Sequence, residues 1–382
     1  MKLLFKKRIL SAAVAAATMV AGNSVFADAN AEIADLKKRI AQIEQSVSKS
    51  SPMAVVLSGA VEVEAGYARA YDDSKSSDIV LATAELAVDA DIAEGVSAHV
   101  GLLYEEDDTD LELDEGYISL EKGIFFVNAG QMYVPFGSYS SNLVSDPLTL
   151  EFGETRESTV EVGLSAGPFA ASVYVFKGDI GNDNEEQSKV ENFGVSLVLA
   201  DGSESFSYEF GVDYISSFAD TDGLTGALDD VADEAAGPTV DAEASLEDYV
   251  AGLSVDGSVS FGPINLIAEY TTALDEFNST ELAFDGEGAK PSAFNLEVGY
   301  LLDLGCETQF ALAFQGTKEA QALGQPERRI AIAASSAIAE NTSLSLEFAR
   351  DTDYDEDDSD DNDNDGDGDT ADTITLQLAV AF

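Results

Sequence analysis

The side chains able to do chemistry in this chain are overwhelmingly carboxylates. Among 382 residues there are 73 Asp and Glu against 19 Lys and Arg, with one His, one Cys and no Trp. Acid–base or nucleophilic catalysis needs a base, a nucleophile and an orienting group held within reach of one another. His99 shares a strand face with Ser97 and with nothing else that completes such a set. It reads as a lumenal or packed histidine, and the chain as no enzyme. The lone Cys306 excludes a disulfide framework and a cysteine zinc site. A formal charge of −54 repels phosphate backbones, so nucleic acid is not a partner.

Two carboxylate patterns point to chemistry of other kinds. Residues 351–372 hold thirteen Asp and Glu and no cation. Within them Asp361, Asp363, Asp365, Gly366, Asp369 and Asp372 match the spacing of a calcium loop, with alternating oxygen ligands and a turn glycine. No cofactor is required by any other feature, and the competing reading of this tract is a solvated low-complexity loop. The second pattern is a set of acids at alternate positions: Glu62, Glu64, Glu85, Asp89, Glu112, Asp114, Glu161, Glu209, Asp213, Glu269, Glu297 and Glu347, with Arg329 almost the only cation among them. Acids on one face of many strands would give a water-filled pore a negative potential.

The elements that must carry these residues follow from periodicity. Residues 1–27 read as a signal peptide, with a cationic start, an apolar stretch and small residues at Val25 and Ala27. In 28–50, Ile33, Leu36, Ile40, Ile43 and Val47 form a heptad seam. That segment is either a periplasmic coiled-coil helix assembling a homotrimer, or an amphipathic surface helix. From 54 to 382 the period changes to two. The alternation predicts sixteen strands near 55–68, 79–92, 96–105, 110–120, 124–135, 157–166, 168–177, 191–200, 205–216, 249–261, 264–274, 292–303, 307–316, 328–338, 342–350 and 372–382. Short connections such as Ala93-Glu94-Gly95 alternate strictly with long ones such as 217–248. The chain ends on an alternating strand closed by Phe382. A mean hydropathy of −0.02 suits a barrel whose apolar and polar faces cancel. The fold class is therefore all-β: a sixteen-stranded antiparallel transmembrane β-barrel in bacterial outer-membrane lipid, preceded by a short helix. Tyr67, Tyr104, Tyr214, Tyr249, Tyr270 and Tyr300 are expected at the interfaces.

One long connection differs from the rest. Residues 136–156 are less acidic and more apolar than 217–248 or 351–371, with Leu143, Val144, Leu148, Leu150 and Phe152. A loop docked inside a barrel would have this composition, and Asp146, Glu151, Glu154 and Arg156 would then narrow and charge the pore. The alternative is a surface loop buried against a neighbouring protomer.

Around this loop the sequence resembles a known family. The segments Tyr104–Asp110, Asp114-Glu115-Gly116, Ala129–Gly137, Ser145–Leu150 and Gly153–Ser158 resemble the LbtU family of siderophore porins. The resemblance implies a Gram-negative outer-membrane barrel with a periplasmic coiled-coil segment, and uptake of an iron–siderophore ligand without a plug domain. The 26 residues between the expected cleavage site and the first strand agree with that. The lumen charge by itself points instead to a general cation-preferring diffusion porin, and a surface calcium-binding or structural protein is a third reading.

Overall fold

The computed structural model describes residues 54–106, 109–182, 189–203, 205–236, 244–355 and 368–382. The expected signal peptide, the heptad segment 28–50 and Asp361, Asp363 and Asp365 lie outside the described residues. The sixteen strands are β1 (Ala54–Arg69), β2 (Lys75–Ala93), β3 (Val96–Glu105), β4 (Thr109–Lys122), β5 (Phe125–Tyr133), β6 (Arg156–Ala166), β7 (Phe169–Phe176) and β8 (Asn192–Ser203), then β9 (Phe206–Ile215), β10 (Gly252–Phe261), β11 (Ile264–Ala273), β12 (Ser292–Asp303), β13 (Glu307–Lys318), β14 (Arg328–Ala339), β15 (Thr342–Thr352) and β16 (Thr370–Ala381). Each pairs antiparallel with its sequence neighbours, and β16 pairs with β1 to close the barrel.

Closure is what a bilayer demands, because an open sheet edge in hydrocarbon leaves backbone donors and acceptors without partners. The seam runs past the last strand: Gly59 and Phe382 exchange both backbone hydrogen bonds at 3.0 Å. The Phe382 ring lies across Gly59, where a Cβ would sit 2.7 Å from the ring and 2.4 Å from the Glu85 carbonyl oxygen. Only glycine allows that approach. Outward positions such as Leu312, Phe314, Ile332, Leu346, Leu376 and Leu378 are exposed, as side chains facing lipid must be. Tyr67, Tyr270 and Tyr300 share that outward exposure, whereas Tyr249 is packed against the loop core instead.

Strict alternation of loop length does not hold. The outer connections at 70–74 and between Glu105 and Thr109 have only five and three residues, close to the two or three of the turns at the other end. The first hairpin continues up to the pair Arg69–Lys75, beyond its apolar stretch, because the hydrogen-bond ladder needs no apolar side chains. The tall loops therefore belong to the rest of the barrel. Among the described residues two α-helices sit in them: α1 (Leu148–Gly153) and α2 (Asp222–Ala236), the second preceded by a 3-10 turn at Phe218–Asp220. Leu224, Ala227 and Leu228 in α2 are buried, at the i, i+3, i+4 spacing of a helix face.

Candidate functional site

The connection from β5 to β6, residues 134–155, folds into the barrel and docks on the wall opposite its own strands. A buried loop needs acceptors for its backbone N–H groups, and inward carboxylates supply them. The Gly137 N–H donates to Asp213 on β9 at 3.0 Å, and the Ser138 N–H to Glu269 on β11 at 2.8 Å. The Asn142 N–H and the Ser141 hydroxyl both donate to Glu297 on β12 at 2.8 Å. Glu347 on β15 accepts from the Val144 N–H at 2.5 Å and the Ser145 hydroxyl at 2.6 Å. The first turn of α1 adds Thr149 Oγ1 to Glu269 at 2.8 Å and the Leu148 N–H to Gln315 at 3.2 Å. Hydrogen bonds to an ionised acceptor are roughly twice as strong as neutral ones. Leu148 and Phe152 are buried, and Leu143 packs on Ala313, Ala331 and Ala349 of the wall.

This latch divides the alternating acids into two groups. Asp213, Glu269, Glu297 and Glu347 are buried and hold the loop. Glu62, Glu64, Glu85 and Asp89 stay half-exposed on the other side of the bore. Glu209 is half-buried on the inward face of β9, and Glu161 accepts from Asn128 at 2.8 Å. Gln377 on β16 donates to both Glu62 and Glu64, at 3.1 and 2.9 Å.

From the loop, Asp146 and Glu151 are exposed to the remaining bore. Asp146 is sunk deep within the barrel, and that enclosure pushes its carboxyl up to about 6; Glu151, Glu105, Glu64 and Glu347 add repulsion. Glu154 is pushed up to about 8 by burial and then by Asp222, Asp146, Asp114 and Glu151. Inward cations are paired: Arg156 with Glu112 at 2.5 Å and Asp114 at 2.9 Å, and Arg329 with Asp351 at 2.7 Å. Arg156 is thus part of the wall and not of the loop. His99 is nearly buried, stacked 5.1 Å from Tyr117, with Nδ1 3.0 Å from Asp89 and Nε2 3.6 Å from Glu115.

The tall loops close over the latched half. Phe136 and Phe152 join Phe176, Ile180, Phe218, Leu224, Leu246, Phe277, Leu282 and Tyr354 in one apolar cluster drawn from six outer connections. Helix α2 begins directly on α1: the Asp222 N–H donates to the Glu154 carbonyl at 2.8 Å, and a Cβ on Gly223 would lie 2.0 Å from the Glu151 carbonyl oxygen. Buried Asp220 accepts the N–H groups of Asp179 at 2.8 Å and Ile180 at 2.9 Å, tying two loops together. Of the calcium-pattern residues described, Asp369 gives its backbone carbonyl to the Asp353 N–H at 3.0 Å. Asp372 lies on the outer face of β16, where its carboxylate is taken by Arg350 at 2.6 Å and Arg69 at 2.7 Å. It is an ion-pair acceptor there and not a free ligand.

No family model matches the chain. It is 28% identical over 312 residues to a UPF0422 protein of Coxiella burnetii, covering 78% of this chain and 64% of the relative. It is 29% identical over 337 residues to a UPF0422 protein of Legionella pneumophila, covering 82% and 62%. The chain thus spans less than two thirds of the length of these relatives. Among solved structures, the anion-selective porin from Comamonas acidovorans matches with a TM-score of 0.60 at 12% identity, covering 86% of this chain and all of that one. The outer-membrane channel DcaP of Acinetobacter baumannii matches at 0.57 and 15%, covering 87% and 98%. OmpT of Vibrio cholerae in its trimer form matches at 0.53 and 11%, covering 87% and 100%. The architecture is that of the outer-membrane porins, and the protein is a barrel of the bacterial outer membrane.

Proposed function

We propose that this protein is a substrate-selective channel of the outer membrane, and that its substrate is a ferric siderophore. The observation that carries selectivity is the apolar cluster that five further outer connections build with the latched loop. A general diffusion pore gains nothing from a packed core across its mouth, whereas a channel that must recognise a bulky solute needs shaped, ordered walls. The substrate class rests on the resemblance of residues 104–164 to the LbtU siderophore porins. The bore's acids constrain the solute further. With the inward arginines paired, Asp146, Glu151, Glu62 and Glu64 disfavour an anion, so the ferric complex that passes is neutral or cationic. The named anion-selective neighbour has the same fold, but this bore has the charge for the opposite preference.

The second reading, a cation-preferring diffusion porin, is favoured by that same acidic bore. Proteoliposomes separate the two. Siderophore uptake predicts that a neutral ferric trihydroxamate enters faster than a sugar of half its mass and blocks single-channel current reversibly. Entry governed by size alone, with no current block, would leave the diffusion reading in its place.

A further inference from the structure

We propose that the outward-facing outer rim of β13–β16, β1 and β2 binds the phosphate groups of a lipid in the outer leaflet. Only eleven Lys and Arg residues occur between 54 and 382, and five of them meet on this rim: Lys75, Arg69, Arg350, Arg328 and Lys318. The register makes them neighbours. Lys75 is paired with Arg69, Arg69 with Asp372 and Asp372 with Arg350. Arg350 faces Ile330, two residues along β14 from Arg328, and Arg328 faces Gly316, two residues along β13 from Lys318. Six adjacent strands at about 4.8 Å spacing make a belt roughly 24 Å wide.

The side of the sheet and the height are both fixed by the residues below. Alternate positions share a face, so Arg69 stands one step above exposed Tyr67, and Arg328 one step above exposed Ile330. Arg350 lies over the Phe348 ring at 5.9 Å. The cations therefore begin where the lipid-facing apolar band stops, which is the level of lipid headgroups. A chain of charge −54 is repelled by an anionic leaflet; placing its scarce cations at that contact offsets the repulsion where it is strongest.

Carboxylates interleave with the belt. Arg69 donates to Asp372 at 2.7 Å and to Asp73 at 3.3 Å, Arg350 to Asp372 at 2.6 and 3.1 Å, Arg328 to Glu327 at 2.9 and 3.2 Å, and Lys318 to Glu319 at 2.6 Å. These pairs engage the guanidinium groups but do not exhaust them. Each arginine keeps a nitrogen outside these contacts, and ion pairs open to water are weak enough to yield to phosphate, which guanidinium binds in the same forked geometry.

The test is native mass spectrometry of the folded full chain in detergent with added diphosphoryl lipid A. Bound lipid is expected, weakened at least tenfold by dephosphorylating the lipid and by the triple substitution Arg69→Ala, Arg328→Ala, Arg350→Ala. Lys122→Ala, at the opposite rim, should leave binding unchanged, and Arg→Lys at the three sites should retain most of it. Equal binding of dephosphorylated lipid A to the unsubstituted protein would overturn the proposal even if the triple variant fails to fold. So would full competition by millimolar inorganic phosphate, which would make this a simple anion site. A change in oligomer mass with lipid binding intact would make the belt a contact between protomers.

Discussion

Glu269 ties three separate residues of the loop to the wall, because its two oxygens accept from the Ser138 N–H, the Tyr139 N–H and the Thr149 hydroxyl. Glu269→Ala strands three donors in a buried site, at a cost of about 1–3 kcal/mol for each that water cannot reach. The expected outcome in planar bilayers is a larger and noisier single-channel conductance, with the barrel still heat-modifiable on gels. Unchanged conductance would mean that the loop is held without its latch. Asp146 and Glu154 set the pH response. Both carboxyl groups are raised in the folded protein, to about 6 and about 8, so each is neutral at pH 5 and each gains charge as pH rises through those values. Raised carboxylate values mean stability that is present at low pH and lost as pH rises, so the loop is held more tightly at pH 5 than at pH 8.5. Cation selectivity moves the other way. The reversal potential in a potassium chloride gradient should show stronger cation preference at pH 8.5 than at pH 5, and Asp146→Asn with Glu154→Gln should flatten that difference. Alternation in the sequence places Glu269 and the other strand acids on the inner face, and the composition of the loop marks Asp146 and Glu154. It could not separate latch from bore, because a period of two says which face a residue takes and nothing about what chain crosses to meet it.

At the scale of elements, α2 shows why part of the site was hidden in the sequence. Leu224, Ala227 and Leu228 have helical spacing, but Asp229, Asp230, Asp233 and Glu234 make the segment read as one more acidic loop. The strands were legible because sixteen repeats of one pattern reinforce each other, while a single helix of fifteen residues has only its own face to show. Two glycines in that helix test its packing in opposite directions. Gly223 abuts the Glu151 carbonyl, so Gly223→Ala must push α2 off α1; overpacking of this kind costs about 1–3 kcal/mol. Gly226 has nothing near its absent side chain, so Gly226→Ala should stabilise the helix by about 0.5–1 kcal/mol. Proteinase K cleavage within 216–251 on the folded barrel should accelerate in the first variant and slow in the second. The same rate in both would show that α2 does not rest on α1 in solution.

The whole molecule is lopsided, and that asymmetry directs where a solute enters. Inward side chains of β6–β13 are mostly buried beneath the latched loop and the tall connections. Inward residues of β1, β2 and β16, among them Glu62, Glu64, Glu85 and Gln377, remain half-exposed, and the connections above β1–β4 are the two short ones. Loop height and bore occupancy therefore vary together around the barrel: where the bore is filled the mouth is covered, and where it is open the mouth is low. The route runs down the β1–β4 side, past Asp146 and Glu151. A bulky thiol reagent tests this directly in a background where the exposed Cys306 is replaced by Ser. Attached to Ser74→Cys in the first short outer turn, a polyethylene glycol maleimide of about 5 kDa should reduce conductance sharply, because a chain of that size covers the low part of the mouth. Attached to Asp230→Cys, exposed on α2 above the filled half, it should change conductance little. Equal block from both positions would mean that the tall loops part and that solutes enter through the centre. Block from Asp230→Cys alone would place the route beneath α2 and reverse the assignment of the filled and open halves.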